Sequence, residues 1–253
     1  MDASHVIVRV GDTVRRPVTP HAVAVRALLL HLEDVGFDGA PRYLGVDEQG
    51  RDVVSYIEGD VPLPPYPSWS MTDEAIVDLG HLARRLHEAT ASMDRRVEGW
   101  ADYWSDPVGG PVICHNDLFP ENVVFHEGRV VALIDFDMAG PGRALWDVAI
   151  AGQEWAPLHA PDARINHPSS LDGITRFGRF ARAYGVPPEQ ATELVDIVFA
   201  ERAHSIAHIR AEIAAGYPSW IDYWRDTDGD ERAHRDDAWL AQERAALIAA
   251  IEG

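Results

Sequence analysis

HNDLFPENVVFHEGRVVALID, residues 115–135, decides how this chain folds. It contains His115-x-Asp117-x-x-x-x-Asn122, two short apolar runs, and Asp135, which Phe136 follows. Asn122–Phe125 and Val130–Ile134 are β-rich, and His126-Glu127-Gly128-Arg129 between them holds a turn glycine. Folded back as a hairpin, the start of the first strand lies beside the end of the second. Asn122 and Asp135 then share one end, as hard oxygen ligands suited to Mg²⁺. Asp117 stands in the loop just before, its approach stiffened by Pro120. Phosphoryl transfer from ATP needs a carboxylate near the acceptor hydroxyl and oxygen ligands for Mg²⁺. Asp117 is the candidate for the first, Asn122 and Asp135 for the second.

A single aspartate before a strand is ordinarily a turn former; the ordered set carries the signal. Downstream stands Gly142-Arg-Ala-Leu-Trp-Asp147-Val-Ala149, and upstream Leu79-Gly-His-Leu-Ala-Arg-Arg-Leu-His87. Together these stretches resemble the aminoglycoside phosphotransferase and choline kinase-like family, whose fold resembles that of protein kinases. The resemblance is strong from about Asp73 to Ala151 and weaker on either side. It implies an α+β, protein-kinase-like two-lobe fold. Residues 1–59 would form a reduced, β-rich nucleotide-binding lobe, and residues 60–253 a mainly helical lobe for catalysis and acceptor binding. It implies Mg²⁺ and ATP or GTP as phosphate donor, with Asp117 at the acceptor hydroxyl and Asn122 and Asp135 on the metal. Ser55-Tyr-Ile-Glu-Gly59 looks like the segment that joins the lobes, where backbone groups of Ser55 and Ile57 would bind the adenine. Asp137 would assist the metal or meet a cationic substrate, and Phe136 would pack behind the metal loop. His115 reads as a structural loop residue, and Asp147 as an N-cap or loop-fixing residue.

The first lobe shows where the chain departs from that family. Val6–Val10 alternates as a strand, Gly11-Asp12 turns, and Thr13–Arg16 returns. Ala22–Val35 has helical spacing, and Tyr43–Val46 and Asp52–Ile57 are further strands around Gln49-Gly50. No G-x-G-x-x-G occurs. The sequence has no lysine, so all 22 basic residues are arginine. Kinase-type sites use a strand lysine on the phosphates, paired with a helix glutamate. Arg16 takes that lysine's place here as a permanent cation with a planar fork, and Arg26 is a further phosphate candidate. Glu33 comes only at the end of the helix.

Composition sets the outer limits. The chain has 253 residues, with 46% hydrophobic and 25% charged content, ordinary for a globular protein. Cys114 is the only cysteine, which rules out an internal disulfide. No apolar run approaches the ~20 residues of a membrane span, and Met1–His5 lacks a signal pattern. These features lead to the expectation of a cytoplasmic protein with no membrane partner. A net charge of −19 argues against nucleic acid and favours a cationic small-molecule acceptor.

Thr72 caps a helix through Ala91, with Ile76, Leu79, Leu82, Ala83 and Leu86 on one face. Helical periodicity returns over 171–184, 189–215 and 236–251. Between the last two, residues 216–231 combine aromatics with carboxylates, which suits a cationic, aminoglycoside-like acceptor. Trp220, Asp222 and Trp224 are candidate contacts, with Glu154 from the loop after the Asp147 helix start. Other acceptors in the same class are choline, an amino alcohol, a sugar or a macrolide. The competing function is a nucleotide- or ligand-binding pseudokinase, favoured by the missing lysine, glycine loop and helix glutamate.

Overall fold

The computed structural model describes residues 7–253. Val6, expected in the first strand, lies outside the described residues. The small lobe is one antiparallel sheet in the order β1-β2-β4-β3, from β1 (Val8–Val10), β2 (Thr13–Arg16), β3 (Tyr43–Val46) and β4 (Asp52–Ser55). Helix α1 (Ala22–Asp34) buries Val25, Leu28, Leu29 and Leu32 on the stripe that the spacing predicts. Arg26 does not serve as a free phosphate contact, because its guanidinium is bound to Asp52 at 2.7–2.8 Å.

The chain leaves the sheet through Tyr56–Gly59 and then pairs back-to-back with the large lobe. Asp60 and Phe125 exchange N–H to C=O bonds of 2.7 and 2.8 Å. Gly59 is required there, since a Cβ would stand 2.2 Å from the Phe125 carbonyl oxygen.

The large lobe is organised around α2 (Asp73–Thr90). The Thr72 hydroxyl caps it, accepting from the Ala75 N–H at 3.1 Å. The face predicted from its 3.6-residue period is buried: Ile76, Leu79, Leu82, Ala83 and Leu86 are at most 4% exposed. It packs on α4 (Gly173–Tyr184), and Gly80 permits the approach, because a Cβ would lie 2.9 Å from Ala183 and Tyr184. Strand β5 (Val112–Cys114) pairs with β8 (Gly140–Gly142), and the hairpin is β6 (Val123–His126) and β7 (Arg129–Leu133). Helices α3 (Ala144–Trp155) and α5 (Ala191–Ala214) complete the core.

Two segments differ from the sequence reading. Residues 216–231, which lie outside the expected helices, contain α6 (Pro218–Asp226) and the start of α7 (Gly229–Glu252). Helix α7 thus begins seven residues before the expected Asp236. Its first two turns are polar all round, so no apolar period marks them. No helix among the described residues is long and apolar enough to cross a membrane.

Candidate functional site

Asp117 and its neighbours are placed by a loop that is fixed from behind. Asp147, wholly buried in the first turn of α3, accepts from the His115 N–H at 2.7 Å and the Asn116 N–H at 2.8 Å. It also accepts from His87 Nε2 at 3.0 Å, and the Tyr184 hydroxyl donates to His87 Nδ1 at 2.8 Å. Asp147 is therefore the loop-fixing residue and not the helix cap, a position held by Arg143. Burial alone would raise its pKa, but these hydrogen bonds hold its carboxyl below the usual range. His87, Cys114 and Asp147 present ligand atoms within 4.8 Å of one another. All three are engaged inside the protein, Cys114 with the Arg143 carbonyl, so the group is a structural lock. Trp155 adds a second tie, donating from Nε1 to the Leu118 carbonyl at 2.8 Å.

His115 connects this loop to the hairpin's far end. Its Nε2 lies 3.0 Å from the Ile134 carbonyl, and its ring leans on Phe136 with centroids 4.6 Å apart. Burial keeps the imidazole neutral by lowering its pKa. His115 is thus the structural residue that the sequence suggests, and Phe136 packs behind the loop that carries Asp135.

Asn122 ends a 3-10 turn (Pro120–Asn122) just ahead of β6. Its Nδ2 donates to the Asp117 carboxylate at 2.7 Å and to the Asp117 carbonyl at 2.9 Å. Its own carbonyl accepts from the Ile134 N–H at 2.9 Å. Asp135 follows with φ 61°, a left-handed conformation that costs a non-glycine residue strain and that clusters at functional sites. The hairpin therefore brings Asp117, Asn122 and Asp135 to one end. The Asp117 carboxyl is pushed up to about 7 by burial, the Asp135 charge acting the same way and the Asn122 bond against it.

Arg16 reaches into this group from β2. Its guanidinium lies 3.3 Å from Asp135 and 2.5 Å from Asp137. Burial raises the pKa of Asp137, and Arg16 opposes that shift. Asp135, Asp137 and Asn122 are all hard oxygen donors, and the carboxylate pair already draws a cation to itself. This donor set fits Mg²⁺. The Ser55 N–H donates to the Arg42 carbonyl and its hydroxyl accepts from the Arg42 N–H, just ahead of β3. Tyr56 N–H is likewise bonded to Asp12. Ile57 lies beyond the end of β4, half-buried.

On the other side of Asp117 opens a cleft of about 550 Å³, large enough for a small molecule. Asp117, Glu154, Trp220 and Trp224 all line it. Glu154 does so from the last turn of α3, not from a loop. Its carboxyl is pushed up to about 7, first by burial and then by Glu121 and Glu201, with His159 and Arg232 opposing. Asp222 is not brought to the cleft. It lies on the outer face of α6, paired with Arg225 at 2.8 Å and more than half exposed. Asp137 stays beside Asp135, paired with Arg16. Glu121, Glu201 and Arg232 also line the cleft and were not singled out in the sequence. The spacing Trp220, Tyr223, Trp224 is an i, i+3, i+4 stripe that marks a helix face pointing here.

Three comparisons bear on this geometry. Residues 92–194 match the model of the phosphotransferase enzyme family. The trifolitoxin immunity protein of Rhizobium leguminosarum bv. trifolii is 33% identical over 260 residues, covering 97% of this chain and 94% of that protein. A homoserine kinase of Burkholderia multivorans is 36% identical over 115 residues, and the match spans 33% of its length. Among solved structures, a choline/ethanolamine kinase family protein from Mesorhizobium loti superposes with a TM-score of 0.65 at 19% identity, covering 97% of this chain and 88% of that one. Its fold is the two-lobed one described above.

Proposed function

The chain belongs to the phosphotransferase enzyme family, and we propose that it transfers the γ-phosphate of ATP or GTP to a hydroxyl of a small acceptor carrying a cationic group. In this reading, residues 1–59 bind the nucleotide and residues 60–253 hold the catalytic groups and the acceptor. The observation that carries it is Asp117, clamped by Asn122 between the Asp135 carboxylate on one side and the cleft on the other. The acceptor oxygen attacks the γ-phosphorus as the bond to the β–γ bridging oxygen breaks. The hydroxyl proton passes to Asp117, and the nucleoside diphosphate leaves. Orientation of the hydroxyl is the larger part of what Asp117 does, since transfer through a loose transition state leaves little for a base to achieve early. Mg²⁺, held by Asn122 and Asp135, would offset charge on the phosphate oxygens. Trp220, Trp224 and Glu154 supply aromatic faces and a carboxylate for the cationic group.

Two outcomes test the nucleotide side. Asp135→Ala should lose Mg²⁺-dependent nucleotide affinity in calorimetry while nucleotide binding without metal changes little. Unchanged Mg²⁺-nucleotide affinity would remove Asp135 from the metal.

Arg16 is the strand cation beside Asp135 and Asp137, and its fork suits phosphate oxygens as well as carboxylates. Arg16→Ala should weaken ATP by about 10-fold, or ~1.4 kcal/mol, and adenosine hardly at all. Equal loss of both ligands would point to a damaged fold, and no loss to a purely structural pairing with Asp135 and Asp137.

A further inference from the structure

This inference rests on the cleft beside Asp117 being the acceptor site. Part of the charge that faces into that cleft is matched within the protein. Asp236 takes His159 Nδ1 and the Ala160 N–H, each at 2.8 Å, and Arg202 at 3.3 Å. Arg202 is also bound to Asp237 at 2.6 Å. Glu121 accepts the Tyr66 hydroxyl at 2.7 Å, and Glu201 is bonded to Gln153 and Ser205.

The Glu121 and Glu201 carboxylates are held by neutral donors only, and two further groups of opposite sign have no charged partner among the described residues. The Glu154 carboxylate has no hydrogen-bond or ion-pair partner among the described residues, although its backbone carbonyl is bonded to His167. Arg232, in the first turn of α7, lies 5.2 Å from the Tyr223 ring centroid and donates to the Tyr223 hydroxyl at 2.9 Å. No carboxylate lies within ion-pair distance of it among the described residues. Tyr223 thus fixes a guanidinium at the cleft wall without neutralising it. The charge of Arg232 reaches Glu154 and favours its ionised form, yet the two do not close on each other. Both line the cleft.

A wholly cationic guest would meet Arg232 as a like charge in a partly desolvated site, a juxtaposition that costs several kcal/mol. A guest with two opposite ends would satisfy both groups. Arginine reads a carboxylate through two parallel N–H bonds, which a single point charge cannot do. We propose that the acceptor is a hydroxyl-bearing zwitterion of the hydroxy amino acid or short hydroxy peptide class, its ammonium at Glu154 and its carboxylate at Arg232. Arg232 is then a specificity-determining residue, because a polar site left unpaired rejects the analogue that lacks the matching group.

The test is a binding measurement, so it stands whether or not phosphate moves. Calorimetry on the full chain with a non-hydrolysable ATP analogue would compare L-homoserine, L-threonine and seryl dipeptides with their C-terminal amides, and with kanamycin as a polycation. At least one free acid should bind 10-fold or more tighter than its amide. Arg232→Gln should abolish that ratio by weakening the acid, while the cationic amide, freed of a like charge, binds as well or better, and Arg232→Lys should restore part of the ratio. Four results would each overturn the zwitterion: amides that bind as well as the acids, kanamycin that binds tighter than every acid, no binding by any acid, or a ratio that persists in Arg232→Gln. Zwitterion binding here, with no nucleotide consumed when ATP or GTP and Mg²⁺ replace the analogue, would instead count against phosphotransfer and leave this assignment standing.

Discussion

Asp117→Asn should lower turnover by at least ~100-fold and up to ~10⁴-fold, the range for removing a positioned proton acceptor. The same protein should be as stable as the parent, or slightly more so. The amide keeps the shape of the carboxylate, and its carbonyl oxygen can still accept from Asn122 Nδ2, which donates to Asp117 at 2.7 Å. What it removes is a carboxyl that burial and the Asp135 charge push up to about 7. A carboxyl held in such surroundings makes the folded state less stable, so its loss should not weaken the fold. Kinetics and thermal melts on one preparation check both halves. A large fall in Tm would mean that Asp117 supports structure, and an unchanged rate would take it out of the mechanism.

Asp147→Asn should do the opposite. Three donors converge on this wholly buried carboxylate, from His115 N–H, Asn116 N–H and His87 Nε2. An amide offers one oxygen and turns an N–H₂ group toward a donor. Leaving a buried charge-assisted network broken costs about 3–5 kcal/mol. At ~2–4 °C per kcal/mol for a chain of this size, Tm should fall by roughly 10 °C. The carboxyl's depressed pKa gives the pH dependence its sign. Its contribution is fully present above its ordinary value of 3.8 and is lost as pH falls through the lower folded value. Asp147→Asn should therefore flatten the acid limb of stability below about pH 4. A shift of under ~1 kcal/mol would show that Trp155 and the hairpin hold the loop without Asp147.

The order of these parts along the chain explains which were legible before the fold was known. Asp117, Asn122 and Asp135 lie within twenty residues, and one hairpin brings them together, so spacing and turn chemistry suffice. The same holds for α2, whose buried stripe repeats at 3.6 residues and whose cap is a threonine. The cleft is different. Glu154, Glu201, Trp220 and Arg232 come from four helices, and no local period relates them. Arg232 stands in the polar run from Gly229 to Asp237, where one charged residue looks like the next. Asp222 shows the converse. Its residue type suits a cation, but the helical turn places Arg225 three residues on, and the pair faces solvent. Ser55 ends β4, and its N–H and hydroxyl are bonded to Arg42, which no local pattern signals.

The most direct test follows the γ-phosphate itself. Wild-type protein and Asp117→Asn would be incubated with Mg²⁺ and γ-¹⁸O-labelled ATP or GTP and a panel of hydroxyl-bearing zwitterions and amines, with products read by mass spectrometry. Phosphotransfer predicts a labelled phosphate monoester on one acceptor, formed in step with nucleoside diphosphate by the wild type and absent with Asp117→Asn. Nucleotide bound with the expected Mg²⁺ dependence but no labelled acceptor, and no difference between the two proteins, would contradict it and leave a ligand-binding pseudokinase.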